Sequence, residues 1–455
     1  MNTRHEYLYT QAVQALVYAW PLYEMQRMRS ATSPRKLAGH GFAGESPDSS
    51  LRWCNAFVHE RELLTAGRSR VVMPNNDTLY TNAWLDLSAG PLVLDMPDMG
   101  ARYHVLGMLD FFTNPFGHPG TRTLGNGGGA VLVTPLGWQG SVPEAFQAPG
   151  RHIEAPTPWV WVIGRLLIDG AHELDQVHAL QDGFGIRSLA DWQAGRPGAP
   201  RRFDARHDPR APFAPQRFLA MANDALRENP PPAGDSALLT GLRAVGLGAD
   251  DATVAQMWAD PAMVEVWRRA ADTVQALLDH RADALGQHTP ATGWSRSMMS
   301  LTGGFGHDHL LRAFVARQGI GALSPHEAIY PRCETDSTGR MLDGAQRYRL
   351  RFAPGQLPPV NAFWSITLYS TRDFMLVDNP IARYAIGDRT PGLQHDADGG
   401  LTLHIQHAPP LDDAARANWL PAPADGFFLC LRAYLPRAEM LDGRYVLPAP
   451  EPVGD

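Results

Sequence analysis

Turn signals fall in two separate series along this chain, and that most limits what it can fold into. From Val71 to Gly170, short apolar or alternating runs are cut by Gly, Pro, Asp and Ser about every ten residues. Leu85-Asp86-Leu87 and Leu92–Met96 are separated by Ser88-Ala89-Gly90-Pro91, and Pro97-Asp98-Met99-Gly100 follows. Tyr103–Phe112, Ala130–Thr134 and Trp159–Asp169 complete the series. A second series spans Arg340–Pro448, with runs at Tyr348–Phe352, Phe363–Tyr369, Leu401–Gln406 and Phe427–Tyr434. Asp343-Gly344, Pro354-Gly355, Asp398-Gly399-Gly400 and Asp442-Gly443 mark its turns. Short strands in this rhythm suit sandwiches and jelly rolls.

The period is different between and before the two series. Glu6–Met28 places apolar residues at helical spacing and predicts a helix turned or interrupted near Pro21. His172–Leu180, Arg217–Glu228, Ala252–Trp258, Ala262–Leu285 and His309–Gln318 have helical spacing too. Ser30–Ser50 and Gly195–Pro215 read as loops. The expected organisation is a helix and loop over 1–50, a first β module over 51–180, a mainly helical connection over 181–330 and a second β module over 331–455. The fold class is mixed, mainly β, with two antiparallel jelly-roll-like β-sandwich modules, an N-terminal helix and a helical middle segment.

Charge and composition exclude some functions. Lys+Arg 40 against Asp+Glu 47 leaves −7, which argues against a general nucleic-acid binder. Ala12–Tyr23 is too short to cross a bilayer, which takes about 20 apolar residues. The start Met1–Glu6 has no basic leader ahead of an apolar stretch. Three cysteines, Cys54, Cys333 and Cys430, lie at no metal-ligand spacing and fit a reducing compartment. The expected location is the cytoplasm.

No strong catalytic motif is present, so chemistry must be sought in polar clusters. Pro74-Asn75-Asn76-Asp77-Thr78-Leu79-Tyr80 is the first. Its Asn and Asp side chains either shape a turn or offer Asp77 as acid or base with Tyr80 as companion. Arg122, near the strand end Asp110–Asn114, could hold a carboxylate in its planar fork. Trp159, Trp161 and Arg165 share a strand face, where Arg165 is a substrate clamp or a cation–π pillar. The glycine cluster Gly125–Gly129 precedes a strand, so it reads as a hairpin and not a phosphate cradle.

In the second series, Phe363, Ser365, Thr367 and Tyr369 share one face, while Trp364, Ile366 and Leu368 share the other. Asp378-Asn379-Pro380, Arg383-Tyr384 and Asp388-Arg389 follow in a loop-like stretch that is either a site or a pinned loop. His307-Asp308-His309 invites a metal reading, with His326 or Glu327 as third ligand. Asp308 equally suits a helix cap before Leu310–Phe314. No cofactor is expected, and a divalent metal at His307 and His309 is the alternative.

Several of these stretches resemble a pairing seen in bacterial proteins, the domain of unknown function 1254 followed by the domain of unknown function 1214. The first resemblance rests on Pro74–Tyr80, Ala83-Trp84-Leu85-Asp86-Leu87, Gly125-Asn126-Gly127, Ala155-Pro156-Thr157-Pro158 and Gly164-Arg165. The second rests on Leu357–Ser365, Asp378–Arg389 and Asn418–Pro423. The resemblance implies two jelly-roll-like modules with helical additions and brings no agreed reaction. Asn76 stands where an Arg is usual, and His309 where an aromatic is usual.

The resulting expectation is an enzyme acting on a small polar or carboxylated molecule by hydrolysis, elimination or isomerisation, in a pocket between the modules. Asp77, Tyr80 and Tyr369 would carry the chemistry. Asn75, Arg122, Arg165, Trp364 and Arg383 would bind substrate. The alternatives are a non-catalytic ligand-binding or assembly protein and a metal-dependent oxygenase or hydrolase. The expected partner is a small molecule, with neither nucleic acid nor membrane, and with self-association open.

Overall fold

The computed structural model describes residues 3–37, 49–67, 73–279, 292–295, 303 and 305–454. The expected loop at Ser30–Ser50 therefore lies partly outside the described residues, as do Val71 and the expected helix end near Leu285.

Thr3–Thr32 is one continuous helix with Pro21 inside it, and the expected turn does not occur. An interior proline costs roughly 3 kcal/mol through a lost backbone bond and a clash with the preceding turn. Packing overrides that cost. Leu8, Ala12, Leu16, Tyr18, Trp20, Leu22, Tyr23 and Met25 are all buried, and burial contributes about 25 cal/mol per Å² of apolar surface. Trp20 and Tyr23 meet Phe218 of the Pro215–Glu228 helix, and the same apolar cluster includes Trp267 of the Pro261–Asp279 helix. The middle segment is thus wrapped around the N-terminal helix.

Each β module is a two-sheet sandwich. In the first, one sheet orders Val58–His59, Thr78–Asp86, Trp159–Leu167, His104–Leu109 and Pro115–Gly117. The other orders Gly185–Ser188, Leu92–Met96, Gly129–Pro135 and His152–Ala155. Leu79, Leu85, Leu94, Leu106, Val131 and Val162 fill the space between them. In the second module, Phe427–Pro436 and Val360–Ser370 form the centre of the larger sheet, to which Trp294–Ser295, Ala328–Ile329, Arg332–Cys333 and Ala385–Gly387 add. Tyr348–Phe352, Leu401–Gln406, Trp419–Pro421 and Glu451–Pro452 form the smaller one. Pairing is antiparallel except once in each smaller sheet, at Leu132–Pro135 with His152–Ala155 and at His404–Gln406 with Trp419–Pro421.

Burial patterns show which sheets are covered twice. Tyr348–Phe352 and Leu401–Gln406 alternate buried and accessible positions, so one face meets water. All ten residues of Phe427–Pro436 are buried, as are all but the last of Trp159–Leu167. The two larger sheets meet each other. Tyr103 and Val105 from the first share a cluster with Phe363, Tyr369, Phe428 and Tyr434 from the second. The remaining outer face of the first sheet, with Trp84, Trp161 and Ile163, is covered by the helical bundle.

The expected loop Gly195–Pro215 is not all loop. Arg201–Asp204 pairs antiparallel with Leu51–Cys54 in a small separate sheet. Arg201-Arg202 hides this from a strand reading, because the pattern there is polar and the partner lies far away in sequence.

Candidate functional site

The polar turn before Thr78 is built by its own side chains. Asn75 Oδ1 accepts the Asp77 N–H at 2.7 Å, so the turn-shaping role is real for Asn75. Its Nδ2 donates to Thr78 Oγ1 at 3.0 Å and to Tyr434 Oη at 2.7 Å, which fixes the turn to the second module. That leaves Asp77 facing the other sheet.

Asp77 is buried, and both of its oxygens are engaged by the second module. Ser365 Oγ donates to Oδ2 at 2.6 Å, and Arg389 Nη2 lies 3.5 Å from Oδ1. Arg389 also pairs with Asp169 of the first module, and its guanidinium sits 4.3 Å from the Phe363 ring centroid. A cleft of about 290 Å³ opens here, with Asp77, Asp169, Ser365, Arg383 and Arg389 in its wall. It takes residues from both modules. Asp388 lies beside it and accepts the Trp364 N–H at 3.2 Å. Loss of hydration, with the like charge of Asp77 adding, pushes the Asp388 carboxyl up to about 6.

Arg383 enters the cleft from a pinned loop. Asn379 Oδ1 accepts the Arg383 N–H at 2.9 Å, and Asn379 Nδ2 donates to the Arg383 carbonyl at 3.1 Å. Arg383 Nη1 donates to the carbonyls of Ala417 and Trp419, both at 2.9 Å. Among the described residues no carboxylate pairs with it. Trp364 borders the cleft, but its indole packs 5.4 Å from Phe352 inside the module and does not form an apolar wall. Strand alternation causes this, since Trp364 follows Phe363 and points the opposite way.

Behind Ser365 the cleft gives way to a buried seam of Arg and Tyr. Ser365 is directly opposite Arg432 across the strand pair. Arg432 Nη2 donates to Tyr369 Oη at 2.5 Å and to the Met73 carbonyl at 2.9 Å. Tyr369 Oη donates to the Pro74 carbonyl at 2.8 Å, and its side chain is fully buried. Tyr369 therefore anchors the Asn75–Asp77 turn and does not reach the cleft. Arg165 donates to the Gly321 carbonyl at 3.1 Å and lies 5.5 Å from the Tyr80 ring centroid. Among the described residues, both guanidiniums keep buried N–H groups without a partner, and the Tyr330 hydroxyl has none either. Such groups cost about 1–3 kcal/mol each when unpaired. Burial also pushes the Tyr330 and Tyr434 phenols up, so both stay neutral.

The remaining expected residues are elsewhere. Tyr80 is in the seam beside Arg165 and outside the cleft wall. Arg122 Nε donates to Glu327 Oε2 at 2.7 Å, and Tyr103 Oη donates to Oε1 at 2.9 Å. Arg122 is thus a latch on a buried carboxylate and does not line the cleft. That bonding also removes Glu327 as a third ligand for His307 and His309. His309 begins the His309–Gln318 helix and His307 precedes its N-cap, Asp308, which accepts the Leu311 N–H at 2.8 Å. Neither lines the cleft.

Sequence reading noted Arg389 in the loop-like stretch without giving it a role, and missed Asp169 and Arg432. Arg432 carried a visible signal, a lone cation inside the apolar run Phe427–Tyr434. Asp169 carried none, and the pairing of Arg389 with Asp169 could not be read, because only the docking of one module on the other makes them neighbours.

Comparison with known proteins agrees with this architecture. A profile described as "Protein of unknown function (DUF1254)" matches residues 54–188, and one described as "Protein of unknown function (DUF1214)" matches residues 327–438. A crystal structure of a protein from Vibrio parahaemolyticus superposes with TM-score 0.69 at 23% identity, covering 98% of this chain and 100% of that one. It shows the same fold. An uncharacterised protein from Burkholderia cenocepacia aligns with TM-score 0.41 at 13% identity, over 95% of this chain and 91% of that one. No curated protein matches the sequence. Among the described residues, no helix is long and apolar enough to cross a membrane.

Proposed function

Because this chain belongs to the proteins that join a domain of unknown function 1254 to a domain of unknown function 1214, a family whose description names no reaction, we propose from the cleft itself that it is an enzyme acting on a small polar or carboxylated molecule by acid–base chemistry. The observation that carries this reading is Asp77, a buried carboxylate from the first module that shares a cleft with Ser365, Arg383 and Arg389 of the second. Pockets with a few convergent polar groups are where small ligands bind.

Each side chain has a role in the proposal. Asp77 moves the proton, and the Ser365 hydroxyl fixes its orientation. Arg389, 3.5 Å from Asp77 Oδ1, helps fix the position of that carboxylate. Arg383, free of any described carboxylate, receives the negative group of the ligand. Arg432 and Arg165 lie behind the wall with no carboxylate partner among the described residues, and their field favours an anion in the cleft. Hydrolysis, elimination and isomerisation all fit one base beside a held carboxylate.

The test starts with thermal-shift screening against small mono- and dicarboxylates, hydroxy acids and amides, followed by NMR detection of turnover. Asp77→Asn is expected to leave binding within about twofold and to lower turnover by about 10²–10⁴. Arg383→Gln is expected to weaken binding by about tenfold. Undiminished turnover in Asp77→Asn ends the catalytic reading. A ligand that binds the cleft and emerges unchanged replaces it with the binding-protein alternative. Turnover should survive chelator, because no step is routed through a metal. The buried, unpaired Cys54, Cys333 and Cys430 support a reducing compartment, and we place the protein in the cytoplasm. Its partner in this reading is the small molecule, and sedimentation will show whether the chain also self-associates.

A further inference from the structure

Asp235, His307 and His309 offer one ligand atom each, and these atoms lie within 4.8 Å of one another. Asp235 comes from the turn before the Ser236–Leu242 helix, about seventy residues upstream of the histidines. Its carboxylate is at the N-cap position but makes no capping bond to that helix. The Tyr18 hydroxyl donates to Oδ2 at 2.9 Å, and no other hydrogen bond to the Asp235 carboxylate occurs among the described residues. A buried carboxylate with one neutral donor and no ion pair among the described residues is poorly compensated, because burial of an unpaired charge costs several kcal/mol.

The geometry points to what would balance it. No hydrogen bond or ion pair joins Asp235 to either histidine among the described residues. The three donors are too far apart to bond each other and close enough for one ion to bridge them. The His307 and His309 rings lie 6.4 Å apart at 71°, so they do not stack on each other. His309 packs edge-on against Tyr18 at 5.1 Å, which limits its ring motion. Tyr18 therefore touches both the carboxylate and one imidazole, as a supporting partner of metal ligands does. His307 is exposed and leaves the site open to solvent.

We propose that Asp235, His307 and His309 bind a divalent first-row transition metal through two imidazoles and one carboxylate, with the remaining positions taken by water. The site uses no residue of the cleft and stands independently of the reaction proposed there. The Arg312 guanidinium lies 3.5 Å from His309 Nδ1, and its charge opposes that of a bound ion.

The test uses the full chain, stripped with EDTA and dialysed. Calorimetric titration with Zn²⁺, and absorption titration with Co²⁺, should each show one ion per chain, the Co²⁺ spectrum having visible bands. Asp235→Asn, His307→Ala and His309→Ala should each weaken binding by at least about tenfold. His307 is exposed, so His307→Ala keeps the fold and remains informative where the buried substitutions do not. No uptake of either ion, or uptake unchanged by His307→Ala and His309→Ala, overturns the proposal.

Discussion

Two cross-strand pairs lie on the same face of the same two strands and meet opposite surroundings. Trp84 pairs with Trp161, and their rings stack 5.7 Å apart at 5° under the helical bundle. Four residues along, Tyr80 pairs with Arg165, whose side chain lies in the seam facing the second module. The tryptophan end is apolar burial. The arginine end is buried too, yet holds N–H groups with no partner. The first end stabilises the fold. The second costs stability and is understandable where a charged ligand or a fixed docking geometry repays it, as buried polar groups do in some systems.

This contrast can be broken by experiment. The largest effect is expected from Trp161→Ala, which should destabilise by about 3–5 kcal/mol in urea unfolding, the usual range for a buried Trp. A loss below about 1 kcal/mol would mean that the helical bundle does not rely on this sheet.

Acid should act at the other end. Burial of His104, opposite Leu166 on the neighbouring strand, pushes its imidazole down to about 4. His118 is also pushed down to about 4, by burial and by the charges of Arg122 and Arg165. A neutral His in the fold lets the unfolded chain take up a proton first. Stability is therefore complete above about pH 6.5 and falls as pH drops towards 4, by up to about 3 kcal/mol for His104. His118 accepts the Ser324 N–H, a bond lost on protonation. His104→Gln should flatten the measured slope between pH 6.5 and 4, and an unchanged slope would remove His104 from the account.

Arg165→Met sharpens the comparison most directly. Replacing an unpaired buried cation with an apolar side chain of similar length is expected to leave stability unchanged or raise it by about 1–2 kcal/mol. The same change should weaken binding of a carboxylated ligand. A destabilisation above about 2 kcal/mol would show that Arg165 serves the fold. The smallest effect is expected from Tyr434→Phe, which takes one bond from Asn75 and should cost about 1 kcal/mol.

Much of the fold was legible from local pattern. Tyr348–Phe352, Leu401–Gln406 and His309–Gln318 begin and end where period and breakers place them. Pro21 misled, because proline's local cost is fixed while the packing that overrides it is not visible along the chain. Of the candidate site, Asp77 and Arg383 were legible as unusual polar residues in loops. Tyr369 and Trp364 shared that signal but point elsewhere, one into the seam and the other into the core.

The sequence alone determined two strand series, a helical middle and which residues are chemically unusual, since period, turn chemistry and side-chain type are local properties. Tertiary structure decided which unusual residues meet. Asp77 finds Ser365 and Arg389 about three hundred residues away, and Asp235 finds His307 and His309 at the entry to another helix. Those meetings depend on how one sheet docks on another and how helices pack around Thr3–Thr32. That docking is set by shape and burial summed over whole surfaces, which no short stretch of sequence records.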